Sequence, residues 1–475
     1  MMSINQFNWR EPNSSVVYQC PDDSIERCEG GLNPVNQCST GYAGAMCLHC
    51  DPSEGYAPSM TNTGCSKCNS STGLEVLLAI LLFVVGFAFE IFYIVVINAS
   101  NKASLELDNL RTAQTYKGEK YTLGAYLGFA VSNLQILYIL LDYMKFLFPN
   151  YSSRFQMLVG PLGFIASPST FGRNALECVL ADSDENSAMV IFKYKIYVES
   201  FLPVAKMIFI AVGVMLLFAA DKIRGVKNLI IVSIFSMFML EQIPTFLNMI
   251  KSLSCFLGSI SPPGYVRNDL RVSCGDPDYL SFKKYFIVPT AIFWSGFLLL
   301  IYVGGLLLAK KKLPGQKVKR LFGDLVNNYM DYNFYWGLVI LVMKFLLILA
   351  LIMIPEPVEA IIPGVLIFFA YYMAIQYLTP YQSKDLRRFD KLVTLGFIGM
   401  MVLATFTNNA QNGSVTKTLG SFAIFIVALA LLMYILIRLV ERLFKYTKAW
   451  KQYRSTNLLG SALFTVEDHL EALNP

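Results

Sequence analysis

From Leu74 onward the chain alternates apolar blocks near 20 residues long with short polar stretches. About 20 helical residues, at roughly 1.5 Å each, cross about 30 Å of hydrocarbon, so each block reads as a membrane-spanning helix. The pattern predicts nine spans, near residues 74–97, 121–147, 200–219, 229–250, 285–309, 335–354, 360–379, 392–407 and 419–440. Residues 155–166 (FQMLVGPLGFIA) are also apolar, but their short length and the internal Pro161 suit a re-entrant or interfacial segment. The expected fold class is therefore an all-α polytopic membrane protein with about nine transmembrane helices and a small disulfide-rich N-terminal ectodomain. Its parts are a cysteine-rich module (1–72), a helical bundle (73–440) and a basic tail (441–475).

Composition sharpens this picture. Of 475 residues, 55% are hydrophobic and 15% charged, against about 25% charged in an ordinary soluble domain. The net charge of +6 hides an asymmetry that sets orientation, because loops rich in Lys and Arg stay on the cytoplasmic side. With the N-terminus outside, the inner segments carry 22 Lys and Arg in 104 residues and the outer segments 13 in 175. The bias selects an outer N-terminus and a cytoplasmic C-terminus, with the chain in the plasma or another surface membrane. Asn13, Asn69, Asn150 and Asn412 each begin an N-x-Ser sequon on the expected outer face, as in a glycoprotein. The first 72 residues contain no apolar leader, so either the first span acts as a reverse anchor or the chain is a processed or partial form of a longer precursor.

Seven of the ten cysteines lie in residues 1–72. The C-x2-C pairs Cys47/Cys50 and Cys65/Cys68 have nearly the spacing of a zinc ribbon, but an outer compartment oxidises thiols, and disulfides are favoured over metal. Cys255 and Cys274 flank the outer loop between the fourth and fifth spans. A bridge there closes about 20 residues and is worth on the order of 3 kcal/mol in the chain-entropy view. Cys178, in the long outer loop 148–199, either pairs with the odd cysteine of the module or is a buried thiol. The stretch CSTGYAGAMCLHC (38–50), followed by GYAP and CSKC, resembles the laminin-EGF and ephrin-receptor-like cysteine repeats. That resemblance implies the pairings Cys38 with Cys47 and Cys50 with Cys65. The module is then either a ligand-binding or adhesion unit or a rigid spacer and cap.

Ionisable groups at bilayer depth are costly and become candidates for function. Counted from the span ends, Glu90 and Lys344 lie at matching depth, as do Lys206 and Glu241, which allows two ion pairs. Such pairs either lock helices together, the favoured reading because they neutralise each other, or line a hydrated path for cations. Asn133, Gln135, Asp142, Gln242, Asn248 and Gln376 add polar groups to the spans. In the basic loop after the fifth span, apolar residues at helical spacing beside Lys317, Lys319 and Arg320 predict an amphipathic helix on the inner leaflet, either sensing anionic lipid or simply retaining the loop inside.

The run LFGDLVNNYMDYNFYW, followed by Lys344 and then by Gln376 and the TPY at 379–381, is similar to the C-terminal membrane region of large ciliate-type protist surface proteins with ephrin-receptor-like repeats. That region in turn looks like the TRP-like and flavin-carrier family and the membrane part of apicomplexan cysteine-repeat modular proteins. Gly337 stands after Trp336, where the family pattern has a carboxylate. The resemblance implies a channel-like or receptor-like surface protein.

Three functions are compatible with these features: a TRP-like channel or channel-like transport protein with cation conduction, an adhesion or assembly scaffold on a non-conducting bundle, and a seven-span receptor. Neither a nucleophile elbow nor a phosphate loop nor a metal-binding His pair is present, so an enzyme is not expected, and with it no catalytic residue, metal or cofactor. The expected partners are membrane lipids, other membrane subunits or an extracellular ligand. A nucleic-acid surface is not among them.

Overall fold

The computed structural model describes residues 8–10, 17–20, 27–30, 37–58, 65–68, 77, 80–81, 84–96, 123–148, 155, 157–159, 162–163, 177, 187–219, 226–256, 264–297, 299–300, 303–304, 329, 333–354, 357–409 and 415–457. The fold is mainly helical. A short apolar helix, α1 (Val84–Val96), is followed by α2 (Leu123–Leu147), α3 (Ala188–Ala219) and α4 (Val226–Leu253). A helical run then mixes α turns (Pro277–Phe282, Val288–Ile292) with π turns (Lys283–Ile287, Phe293–Phe297). The chain closes with α5 (Trp336–Met353), α6 (Pro357–Leu378), α7 (Lys384–Asn408) and α8 (Val415–Asn457).

Among the described residues, six helices are long and apolar enough to cross a membrane: α2, α3 and α5 to α8. Pro203, Pro244 and Pro363 sit inside helices, as apolar helix bundles tolerate when neighbours take up the freed carbonyls. Capping fixes the start of α7, where the Ser383 hydroxyl accepts the Leu386 amide at 3.0 Å. The boundaries differ from those the hydropathy pattern predicts, because helices extend past the apolar blocks. Helix α3 begins at Ala188 rather than near 200, and α7 at Lys384 rather than 392.

Contacts at the helix ends fix their directions. Asp142 near the end of α2 pairs with Lys251 near the end of α4, and Arg267 reaches the carbonyls of Leu351 and Ile352 at the end of α5. At the opposite end of the bundle Arg442 of α8 binds Asp385 at the start of α7. One core joins α2, α4 and α5 to α8. Helix α2 runs through its middle, whereas α3 is packed on α4 and presents Phe201, Ile208, Phe209 and Leu216 outward. In the short apolar segment, Phe155, Leu158, Val159 and Leu162 recur at helical spacing and are buried in this core, while Met157 is exposed.

The N-terminal module consists of three two-stranded antiparallel hairpins: β1 (Asn8–Arg10) with β2 (Val17–Gln19), β3 (Tyr42–Ala43) with β4 (His49–Cys50), and β5 (Tyr56–Pro58) with β6 (Cys65–Lys67). Strands this short need staples. Disulfides Cys20–Cys28, Cys38–Cys47 and Cys50–Cys65 supply them, and Cys68 is also disulfide-bonded. The loop after α4 forms a three-stranded sheet, β7 (Cys255–Phe256), β8 (Tyr265–Val266) and β9 (Asp269–Ser273), clamped by Cys255–Cys274. Module and loop share one small core, with Trp9 edge-on to Tyr265, and Leu270 packed with Ala45 and Cys47. Gly44, at φ +80, lets the module backbone approach to where an added Cβ would lie 3.0 Å from the Leu270 carbonyl oxygen. The module is therefore seated on the end of the bundle where α2, α4 and α5 finish.

The expected basic helix with Lys317, Lys319 and Arg320, the sequons Asn13, Asn69, Asn150 and Asn412, and Cys178 all lie outside the described residues.

Candidate functional site

Two buried polar centres lie within the bundle and a third beneath the module. The first joins three helices. Lys206 of α3 donates from Nζ to Glu90 Oε1 of α1 at 2.5 Å and to Glu241 Oε1 of α4 at 2.9 Å. All three side chains are essentially inaccessible, at 0% for Glu90, 1% for Lys206 and 0% for Glu241. Helix α1 exposes Ile91, Phe92 and Val95 and turns Glu90, Tyr93 and Ile94 inward, so this ammonium is a main tie between it and the bundle.

The expected pair of Glu90 with Lys344 does not form. Lys344 of α5 instead donates to Gln135 Oε1 at 2.8 Å, and Gln135 Nε2 donates to the Leu240 carbonyl at 2.9 Å. Depth counted from span ends says nothing of the direction in which a side chain faces. Lys344 faces α2, while Lys206 sits 18 residues into a helix that starts 12 residues earlier than the apolar block suggests. Lys206 therefore serves both carboxylates: the expected Lys206–Glu241 pair is present, and Glu90 joins it. One ammonium faces two carboxylates, and Glu90 Oε2 makes no hydrogen bond among the described residues.

The second centre lies at the bundle end remote from the module. Asp390 Oδ2 accepts the hydroxyls of Tyr381 at 2.6 Å and Tyr371 at 2.9 Å. Trp336 stacks on Tyr371 and donates from Nε1 to the Tyr381 hydroxyl at 3.3 Å. The turn that presents Tyr381 is pinned by Asn333 Nδ2 to the Leu378 carbonyl at 2.7 Å and by Gln382 Nε2 to the Tyr329 carbonyl at 2.7 Å. Thr379 within it has φ 40, an outlier for a β-branched residue that such pinning can hold. A cavity of about 10 Å³ opens beside Asp390. Tyr329, Asn333 and Trp336 thus meet the turn carrying the TPY at 379–381 in space. Asp390 itself does not stand out in the sequence, since the run KDLRRFDK reads as a charged loop. The signal that marks it is the Ser383 cap, which makes that run the first turns of a helix.

The third centre is the seat of the module. Arg271 grips Asp269 with two hydrogen bonds, at 2.8 and 2.6 Å, and donates to the Cys50 carbonyl at 3.0 Å, tying β9 to the module. Lys195 of α3 pairs with Glu177 beside them. Burial opposes the charge on Asp269, but the Arg271 guanidinium outweighs it and holds the carboxyl well below the usual range. Burial pushes the nearby His49 imidazole down to about 4, against the attraction of Asp269 and with help from Arg271 and Lys195. His49 is therefore neutral at physiological pH.

Among the remaining polar residues, Gln242 Nε2 donates to the Trp294 carbonyl at 2.9 Å, bracing α4 against the π turn there. Gln376 accepts from Lys391 on the exposed side of α6. Among the described residues, no group of three or more His, Cys, Asp or Glu could hold a metal ion.

No protein family, curated protein or solved structure matches this chain. Its functional reading therefore rests on this geometry.

Proposed function

We propose that the chain is a multipass surface membrane protein of channel or channel-like transport type that moves cations. The observation carrying this reading is the Glu90–Lys206–Glu241 centre. Two separate ion pairs would leave no net charge. One lysine shared by two carboxyl groups leaves the acidic groups in excess at this centre, and Glu90 Oε2 makes no hydrogen bond among the described residues. A charge so placed has to be neutralised by a proton or a cation. The three side chains belong to three helices, so an ion entering or leaving would alter how α1 and α3 pack on α4.

Nine passes with the module outside remain the topology proposed. Among the described residues, six helices have membrane-crossing length and apolarity. Taken with α1, α4 and the run from Pro277, successive helices alternate in direction between the module end and the Asp390 end. Lys and Arg are denser in the segments that this arrangement places inside. Outward apolar side chains on α3 suit contact with lipid. The likeness to ciliate-type surface proteins with a TRP-like membrane region points the same way.

A scaffold that organises partners is the second reading, favoured by the tight closure of the bundle around Lys206. Reconstitution of the full chain in vesicles with a cation gradient separates the two. Cation flux above that of protein-free vesicles, reduced tenfold or more in Glu90→Gln or Glu241→Gln, supports transport. Absence of flux under stretch, voltage and Ca²⁺ favours the scaffold.

A further inference from the structure

The cavity beside Asp390 is lined by Ser132 and Asn133 of α2, Tyr371 of α6, and Asp390 and Thr394 of α7, with apolar side chains closing the remainder. At about 10 Å³ it holds one water molecule or one small ion. Hydroxyls inside helices commonly bond to the carbonyl one turn back, as Thr405 and Thr407 do in this same helix. Among the described residues, neither Ser132 nor Thr394 makes such a bond or any other hydrogen bond. Asn133 spends its Nδ2 on the Phe129 carbonyl at 3.0 Å, which leaves its amide oxygen as the group without a partner. Four residues around one small space thus hold unused oxygens: a carboxylate, an amide and two hydroxyls.

The charge of the site is equally specific. Asp390 is 2% exposed and receives two phenol hydroxyls on one oxygen; those bonds support the ionised carboxylate while burial opposes it, so a cation beside it would decide the balance. Among the described residues no Lys, Arg or His pairs with it. A buried carboxylate that keeps its charge requires a counter-ion, and a single carboxylate with neutral oxygens matches a single positive charge. Hard alkali and alkaline-earth cations take oxygen ligands, and divalent ions normally draw more than one carboxylate. A space the size of one water suits Na⁺ better than the larger K⁺.

We propose that Asp390, Asn133, Ser132 and Thr394 form a binding site for a single monovalent cation, Na⁺, in the bundle end remote from the module. The site joins α2 to α7, with Tyr371 orienting the carboxylate. It is separate from the Glu90–Lys206–Glu241 centre and stands whether or not that centre transports ions.

The test is the thermal stability of the purified full chain in choline chloride, titrated with NaCl or KCl at constant ionic strength and pH. A ligand that binds the folded state raises Tm saturably. Na⁺ is expected to raise Tm with a saturating curve and K⁺ to do so only at much higher concentration. The effect should vanish in Asp390→Asn and should require about tenfold more Na⁺ in Thr394→Val, as loss of one oxygen ligand worth about 1.4 kcal/mol implies. Should Asp390→Asn fail to fold, Thr394→Val and Ser132→Ala decide. Glu90→Gln is expected to keep the Na⁺ response. Superposed NaCl, KCl and choline curves overturn the proposal, as does a Tm that follows pH and ignores Na⁺, or a Na⁺ response that survives in Asp390→Asn or disappears only in Glu90→Gln.

Discussion

Two buried lysines one helix apart have opposite energetic roles. Lys206 is held by two carboxylates, and removing it takes away the ammonium that both buried groups share. Breaking a buried pair in this way costs about 3–5 kcal/mol. Among the described residues Lys344 hydrogen-bonds only an amide oxygen, so its replacement by an apolar chain of similar length loses one hydrogen bond and removes a buried polar head. Denaturation of the purified variants should therefore show Lys206→Met severely destabilised and Lys344→Met changed by about 1 kcal/mol or less. His49 gives a pH-dependent counterpart outside the bundle. Its folded-state pKa of about 4 lies below the ordinary 6.5, so between these values the unfolded chain binds a proton that the folded chain refuses. Its contribution is complete above pH 6.5 and is lost as pH falls towards 4. Asp269, held low by Arg271, keeps its own contribution through that window. Stability of the seated module, followed by hydrogen exchange at β4 and β9, should fall between pH 6.5 and 4 in the native chain and should be flatter in His49→Phe.

The elements show which signals the sequence carried and which it did not. Apolar length marked the six helices of crossing length among the described residues, because such blocks persist whatever their neighbours are. It misjudged their starts, since polar and charged turns such as KDLRRFDK extend a helix without adding hydropathy, and Asp390 was hidden for that reason. The pairings Cys38–Cys47 and Cys50–Cys65 came from the resemblance to cysteine-rich repeats and not from spacing, and Cys255–Cys274 from its place flanking one loop; all three are joined in the structure. The partner of Glu90 was not legible, because it depends on the rotation of α1 and α5 about their own axes. Helix contacts carry a further test. A Cβ at Gly420 of α8 would lie 2.2 Å from Thr407 Oγ1 of α7, a hydroxyl fixed by its own bond to the Leu403 carbonyl. One at Gly364 of α6 would meet the flexible end of Met401, and one at Gly399 would meet nothing within 4 Å. Gly420→Ala should destabilise by about 1–3 kcal/mol through overpacking, and Gly399→Ala should not. Thermal shifts of the two variants in one detergent check the contrast.

At the scale of the whole molecule, a stapled module sits on one end of a helical bundle whose opposite end gathers Asp390, Tyr371 and Tyr381. Oxidised cysteines go with the first end. If the bundle spans a membrane, these ends face opposite compartments, and every functional argument about the buried charges depends on that. The most direct measurement is labelling of intact, sealed cells with a membrane-impermeant maleimide, using Ser66→Cys on β6 and Lys384→Cys at the start of α7, both exposed positions. Among the described residues every native cysteine is disulfide-bonded, so the introduced thiols give the signal. Labelling of Ser66→Cys in sealed cells, with Lys384→Cys reacting only after permeabilisation, is the predicted result. Labelling of both from one side, or of Ser66→Cys only after permeabilisation, would contradict it.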